Sequence, residues 1–166
     1  MNIQDMQLMY NYNYWANGKI LAAAKNVAEE QFIAPASFPY GGLRGTILHI
    51  VDAEYGWREF FETDIFKEDL RVEDFPTFSS LEKKFREEEQ SMRAYLNRLT
   101  DEDMNSHRKY SFNEDIHLDR ILWHCLVHVV NHGTQHRSEA AALLTSYNAS
   151  PGDLDFTLFL YESGNT

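Results

Sequence analysis

Hydrophobic residues recur at three- and four-residue intervals through most of the chain, which is the spacing of helices that bury one face. All four prolines lie in the connections between these stretches. The pattern predicts long helices over about residues 3–29, 43–62, 78–99 and 118–146, and a short closing helix over about 152–160. We therefore predict an all-α fold, a single domain over residues 1–166 built as a four-helix bundle with a short C-terminal helix.

The third predicted helix carries the clearest local signals. Ser79 followed by Glu82 three residues later has the pattern of a capping box at a helix start. The charged run from Glu82 to Glu89 is predicted to be a solvated face, with pairs one turn apart such as Lys84 with Glu88.

The segment 100–117 that follows is polar and broken. It predicts irregular structure with a short hairpin across Asn113-Glu114. His107 and His117 in this segment are predicted to be surface residues.

Composition narrows the classes of protein. The chain has 166 residues, 43% of them hydrophobic, which is the composition of a folded domain with a sizeable core. Its one cysteine, Cys125, permits neither an internal disulfide nor a thiolate zinc cluster, so we expect the cytoplasm and an inert core thiol. The net charge of −11, with no patch rich in Lys and Arg, argues against nucleic-acid binding. We expect neither a signal peptide nor a membrane span.

Histidine spacing is the main candidate for chemistry. His124, His128, His132 and His136 follow one another at intervals of four residues in the last long helix. On a helical wheel, His132 and His136 lie within the buried face, His128 lies at its edge and His124 lies beyond it. Two imidazoles one turn apart can bind one metal ion, with a third ligand from another helix. His49 is a candidate whose direction the pattern leaves undecided, and histidines that only pack in the core are the alternative.

Other positions on these faces suggest a pocket and a partner. Asn13 and Asn17 lie on the buried face of the first helix, where they either line a pocket or form hydrogen bonds between helices. The second apolar faces of the first and last long helices predict a homodimer interface. The residues that form those faces are Leu8, Trp15, Val127 and Val130.

Several motifs together resemble the DinB-like superfamily of four-helix-bundle proteins, including its YfiT-type members. The first is Tyr14-Trp15-Ala16-Asn17, and the second is Leu48-His49-Ile50 followed by Glu54. The most specific is the segment His128-Val129-Val130-Asn131-His132-Gly133-Thr134-Gln135-His136-Arg137, and the tail adds Pro151-Gly152-Asp153-Leu154-Asp155-Phe156. The resemblance extends over essentially the whole chain.

The resemblance implies a divalent metal ion held by His49, His132 and His136, with His128 near the site but not a ligand. The family usually has Gln where this chain has Glu139. That carboxylate is a candidate to orient a ligand or to act as a base, and a buried acid satisfied by an arginine is an equal alternative. Asn13, Asn17 and His128 are then the candidates for a substrate pocket.

Three imidazoles leave one position of a metal open, as catalytic sites do. We therefore favour a metal-dependent enzyme, either a hydrolase or a transferase of low-molecular-weight thiols, acting on a small molecule. The motif His132-Gly133-Thr134-Gln135-His136 lacks the glutamate of metalloproteases. A non-catalytic metal-binding or stress-response interaction module and a metal-free bundle are the alternatives. Zn²⁺ and Ni²⁺ are the favoured metals, and Fe and Cu are also compatible.

Overall fold

The computed structural model of the chain describes residues 1–111 and 115–164. Within these ranges the fold is mostly helical, with a two-stranded antiparallel sheet. No helix in the described part of the chain is both long and apolar enough to cross a lipid bilayer. The helices are α1 (Ile3–Ala24), α2 (Glu29–Ile33), α3 (Leu43–Thr63), α4 (Phe78–Leu96), α5 (Asp101–Met104), α6 (Leu122–Ser146) and α7 (Phe156–Ser163); the strands are β1 (His107–Ser111) and β2 (His117–Ile121), and Val72–Asp74 forms one turn of 3-10 helix.

The four long helices pack around a shared interior. Helix α6 contacts α1 and α3, and α4 contacts the same two helices. Apolar side chains form two clusters, one toward each end of these helices. Along α1, α3, α4 and α6, buried polar residues lie between the two clusters, so a polar layer crosses the core at mid-height.

Two helix boundaries differ from the prediction because the backbone there forms other hydrogen bonds than those of an α-helix. Helix α1 ends at Ala24 rather than near residue 29, because the amides of Asn26 and Val27 bond to carbonyls three residues back and Ala28 is extended. Helix α6 begins at Leu122 rather than 118, because residues 118–121 pair with β1 as part of β2. The hairpin is present, and its predicted turn at Asn113-Glu114 lies outside the described residues.

Helix α4 also begins with a different cap. Thr77 is its N-cap and exchanges hydrogen bonds with Ser80, so the predicted Ser79–Glu82 capping box is wrong. Thr77 satisfies the same requirement, since one side-chain oxygen accepts from an otherwise unpaired amide.

The charged face of α4 is only partly solvated. Arg86 and Glu82 form the expected surface pair at 2.7 Å. Glu88, predicted to be solvated beside Lys84, is instead buried at 2% exposure. Its carboxylate accepts from Arg58 of α3 at 2.5 and 3.0 Å, a two-pronged pair that compensates for the burial of both charges.

The polar layer also links α1, α3 and α6. Arg137 donates to Asn13 Oδ1 at 2.5 Å and to Asn17 Oδ1 at 2.9 Å. Asn13 Nδ2 in turn donates to Glu54 at 2.9 Å, and the Tyr14 hydroxyl donates to the same carboxyl at 2.7 Å. Burial raises the pKa of Glu54 to about 7. The two asparagines therefore form hydrogen bonds between helices, which was one of their two predicted roles.

The absence of a side chain at Gly133 leaves room for the Arg137 guanidinium in this network. A Cβ at this position of α6 would lie 2.8 Å from Arg137 Nη1 and 3.1 Å from Asn13 Oδ1. The guanidinium fits beside the helix because no side chain projects from residue 133.

The second apolar faces are partly covered within the chain. Trp15 packs against Phe159 of α7, with ring centroids 5.8 Å apart, and its indole donates to Glu162 at 2.9 Å. Val130 is buried in the core. Leu8 and Val127 are partly buried, and the homodimer stays a prediction.

The raised pKa of Glu54 predicts a pH-dependent loss of stability. Its carboxyl ionises near pH 4.5 in the unfolded chain and near 7 in the folded one, so the folded state binds more protons between these values. We expect the free energy of unfolding of wild type, relative to Glu54→Gln, to fall by about 3 kcal/mol as the pH rises through this window. Urea unfolding at a series of pH values measures it.

The exposed Glu68→Gln is the matched control for removal of one carboxylate. If the difference between wild type and Glu54→Gln does not change with pH, Glu54 is not a buried acid with a raised pKa.

Candidate metal centre

Three histidines from two packed helices meet beside the polar layer. His49 projects from α3, and His132 and His136 project from successive turns of α6. His132 Nε2 lies 3.1 Å from His49 Nε2 and 3.2 Å from His136 Nε2. One ligand nitrogen from each ring lies within 4.8 Å of the others. The structure thus settles the direction of His49, which periodicity left open.

This donor set fits a divalent metal ion. Zinc–nitrogen bonds of 2.0–2.1 Å in a tetrahedron place neighbouring ligand nitrogens about 3.3 Å apart, close to the two Nε2 separations observed. A neutral imidazole with its proton on Nδ1 presents an unprotonated Nε2, so all three rings can offer Nε2 to one cation. Three neutral nitrogen donors suit Zn²⁺, Ni²⁺, Fe and Cu alike.

Burial keeps the His49 and His132 imidazoles neutral, as metal ligation requires. Burial lowers the pKa of His49 to about 4, and a charge on His132 or His136 would lower it further. Burial likewise lowers the pKa of His132 to about 4, with His136 the next cause. Both rings therefore stay uncharged well below neutral pH, and each keeps one unprotonated nitrogen that can bind a metal.

Glu139 contacts one of the three rings. Its Oε2 lies 2.8 Å from His136 Nδ1, on the opposite side of the ring from the nitrogen that faces the other histidines. A proton on Nδ1, donated to this carboxylate, leaves Nε2 free to bind a metal. His132 Nδ1 is buried and has no partner among the described residues.

Tyr40 covers the cluster and was not anticipated as a site residue. Its ring stacks on His49 at 3.5 Å between centroids and meets the edge of His136 at 5.2 Å. Gly45 permits this approach, because a Cβ there would lie 2.0 Å from the Tyr40 carbonyl oxygen. Tyr40 lies in the connection between α2 and α3, and nothing in the sequence pattern predicts that this connection reaches His49.

The remaining predicted residues occupy distinct places. His128 lies at the exposed edge of α6, with its ring 5.8 Å from His132 and 5.3 Å from Trp57. His124 is exposed one turn further away, and Cys125 is buried. Asn13 and Asn17 bond to the polar layer rather than to the imidazoles. Of these predicted residues, Glu139 contacts the histidine cluster and His128 lies next to it. Asn13 and Asn17 belong to the polar layer instead.

Comparison with known proteins assigns the family. A sequence model of the DinB family matches residues 1–165. The chain belongs to the DinB family. It is also similar to Protein DinB of Bacillus subtilis (strain 168), with 24% identity over 158 residues that cover 92% of each chain. The match extends over all the elements that carry the histidines of this DinB-family chain.

The contact between Glu139 and His136 predicts a graded effect on metal affinity. We expect Glu139→Ala to weaken Zn²⁺ binding by about tenfold or more, because His136 loses the group that fixes its tautomer and orientation. Glu139→Gln, whose amide oxygen still accepts from Nδ1–H, should stay within about threefold of wild type. Competition with a chelator of known affinity measures both.

The control is Gln135→Ala, an exposed change one residue before His136. Equal affinity in wild type and Glu139→Ala would show that the carboxylate does not support the ligand.

Proposed function

We propose that this DinB-family chain is a metal-dependent enzyme, in which His49, His132 and His136 hold a divalent ion inside a four-helix bundle. The observation that carries the proposal is the convergence of three Nε2 atoms from α3 and α6, with separations of 3.1 and 3.2 Å. Zn²⁺ and Ni²⁺ are the metals we propose first.

The chemistry follows from the donor set. When bound, a divalent ion with three neutral ligands and an open position acidifies a coordinated water or thiol, which suits hydrolysis of an ester or amide or transfer of a low-molecular-weight thiol. The chain's own contribution is positional: α3 and α6 hold the ligand nitrogens, and Tyr40 covers one side of His49. Glu139 acts here as a positioning residue, since Oε2 already faces His136 Nδ1.

The test joins metal content to turnover. Protein purified without a histidine tag should contain about one metal ion per chain by elemental analysis. His132→Ala should lose most of that metal, because His132 Nε2 is the nitrogen that lies nearest to both other ligands. We expect it to lose at least a hundredfold in activity toward activated esters or in transfer of a small thiol to an electrophile, whichever wild type catalyses.

His117→Ala is the matched control, because that histidine is exposed on the hairpin, in β2. Metal retention without turnover in either assay would support the non-catalytic module instead. Absence of metal after reloading would contradict the site itself, and equal activity in wild type and His132→Ala would contradict the catalytic role.

A further inference from the structure

A cleft lies beside the hairpin, one helical turn of α6 from the histidine cluster. It has a volume of about 330 Å³ and lies between α3, α6 and the inner face of the two strands. His128 forms its end toward the cluster, one helical turn from His132, and Arg120 of β2 contributes to the other end. Trp57, Tyr110, Leu118 and Cys125 are among the residues between them.

The inner face of the hairpin holds two positive charges directly opposite each other. The strand register pairs Arg108 with Arg120, and directly opposed residues share one face of a sheet. Like charges in this position destabilise a hairpin unless another group compensates for them. Arg108 is partly compensated: it lies 3.7 Å from Asp64, whose side chain is 76% exposed, and it also interacts with Asp103 and the Tyr95 hydroxyl. Arg120 donates to the Asp119 carbonyl at 3.1 Å and forms no ion pair among the described residues.

The charges of both guanidiniums act on Cys125, which lines the cleft. Burial raises the pKa of the Cys125 thiol, and the positive charges of Arg120 and Arg108 partly offset that increase. None of the described residues that line the cleft is acidic, although the chain as a whole carries a net charge of −11. The cleft on the other side of His49 contains Asp52 and Asp69 instead. An anion would therefore bind more favourably on the hairpin side.

The wall of this cleft is aromatic. The rings of Trp57 and Tyr110 meet edge to face at 5.3 Å, and the His128 ring lies 5.3 Å from Trp57. Such a wall suits a flat apolar group, and a planar guanidinium binds carboxylate or phosphate through two parallel hydrogen bonds. From Cys125 to His132 along α6 is about 10 Å, the length of a small two-ring molecule.

We propose that this cleft binds a small molecule with a flat apolar body and an oxyanion group, the oxyanion at Arg120 and the body on Trp57 and Tyr110. The molecule would extend past His128 toward His132. This inference deepens the proposed function, because it assigns an anionic substrate class to the same metal site and so rests on it in part.

The test measures binding of matched probes to the metal-loaded full chain by calorimetry. We expect 1-naphthoate or 1-naphthyl phosphate to bind at least tenfold more tightly than the neutral 1-naphthylmethanol, and the comparison of the two anions identifies the preferred group. Acetate, which has the charge but no flat body, should bind more weakly than naphthoate.

Arg120→Gln should weaken binding of the preferred anion by about tenfold, because a charge-assisted pair is lost. Lys109→Gln is the matched control: it removes the same charge from the neighbouring strand, where Lys109 is exposed and pairs in register with Asp119. It should bind within twofold of wild type. Equal binding by Arg120→Gln and Lys109→Gln, or equal binding of the neutral probe, would overturn the proposal.

A His132→Ala variant separates the two proposals. Metal content should fall in this variant while binding of the naphthyl anion stays within twofold, since Arg120 is unchanged. If His132→Ala abolishes anion binding and Arg120→Gln does not, the anion binds at the metal and the cleft proposal is wrong. If wild type holds no metal but binds the anion through Arg120, the cleft stands as an anion site and the metal-dependent function fails.

Discussion

The structure depends on the hydrogen bonding of polar groups buried at mid-height between its long helices. An unpaired polar group in this position would cost about 1–3 kcal/mol, so the helices must align where partners meet. Arg137, Asn13 and Glu54 form one such chain of contacts across α6, α1 and α3. Arg137 directly follows His136, and Glu54 lies five residues after His49. The alignment that satisfies the buried network therefore also brings the histidines of α3 and α6 face to face.

Burial has a second consequence at the site. Imidazoles exposed to water have the ordinary histidine pKa. Burial lowers the pKa of His49 and of His132 to about 4. Burial disfavours the charged form of both rings, so each keeps a nitrogen lone pair that is available to a metal ion. Glu139 completes the arrangement, because a carboxylate on Nδ1 favours the tautomer of His136 whose Nε2 can bind a metal.

The long helices and the pair of neighbouring histidines on α6 could be predicted from the sequence, because apolar spacing and the interval of four residues are local properties. Periodicity could not predict which way the His49 side chain points, because α3 has apolar residues on both sides of that position. The role of His49 was implied by the resemblance to the DinB-like superfamily. Periodicity failed at residues 118–121, where pairing with β1 outweighs helix formation. It also missed the burial of Glu88, whose partner Arg58 is distant in sequence. Tyr40 reaches His49 through loop geometry that no local pattern encodes.

The central claim is that His49, His132 and His136 bind a single metal ion. Anomalous diffraction at the absorption edge of the metal, from crystals of the metal-loaded protein, tests it most directly. The account predicts one anomalous peak per chain within about 2.0–2.2 Å of Nε2 of each of the three histidines, with a fourth position open to solvent. A peak held by other residues, or none at these nitrogens in protein shown to contain metal, would contradict it.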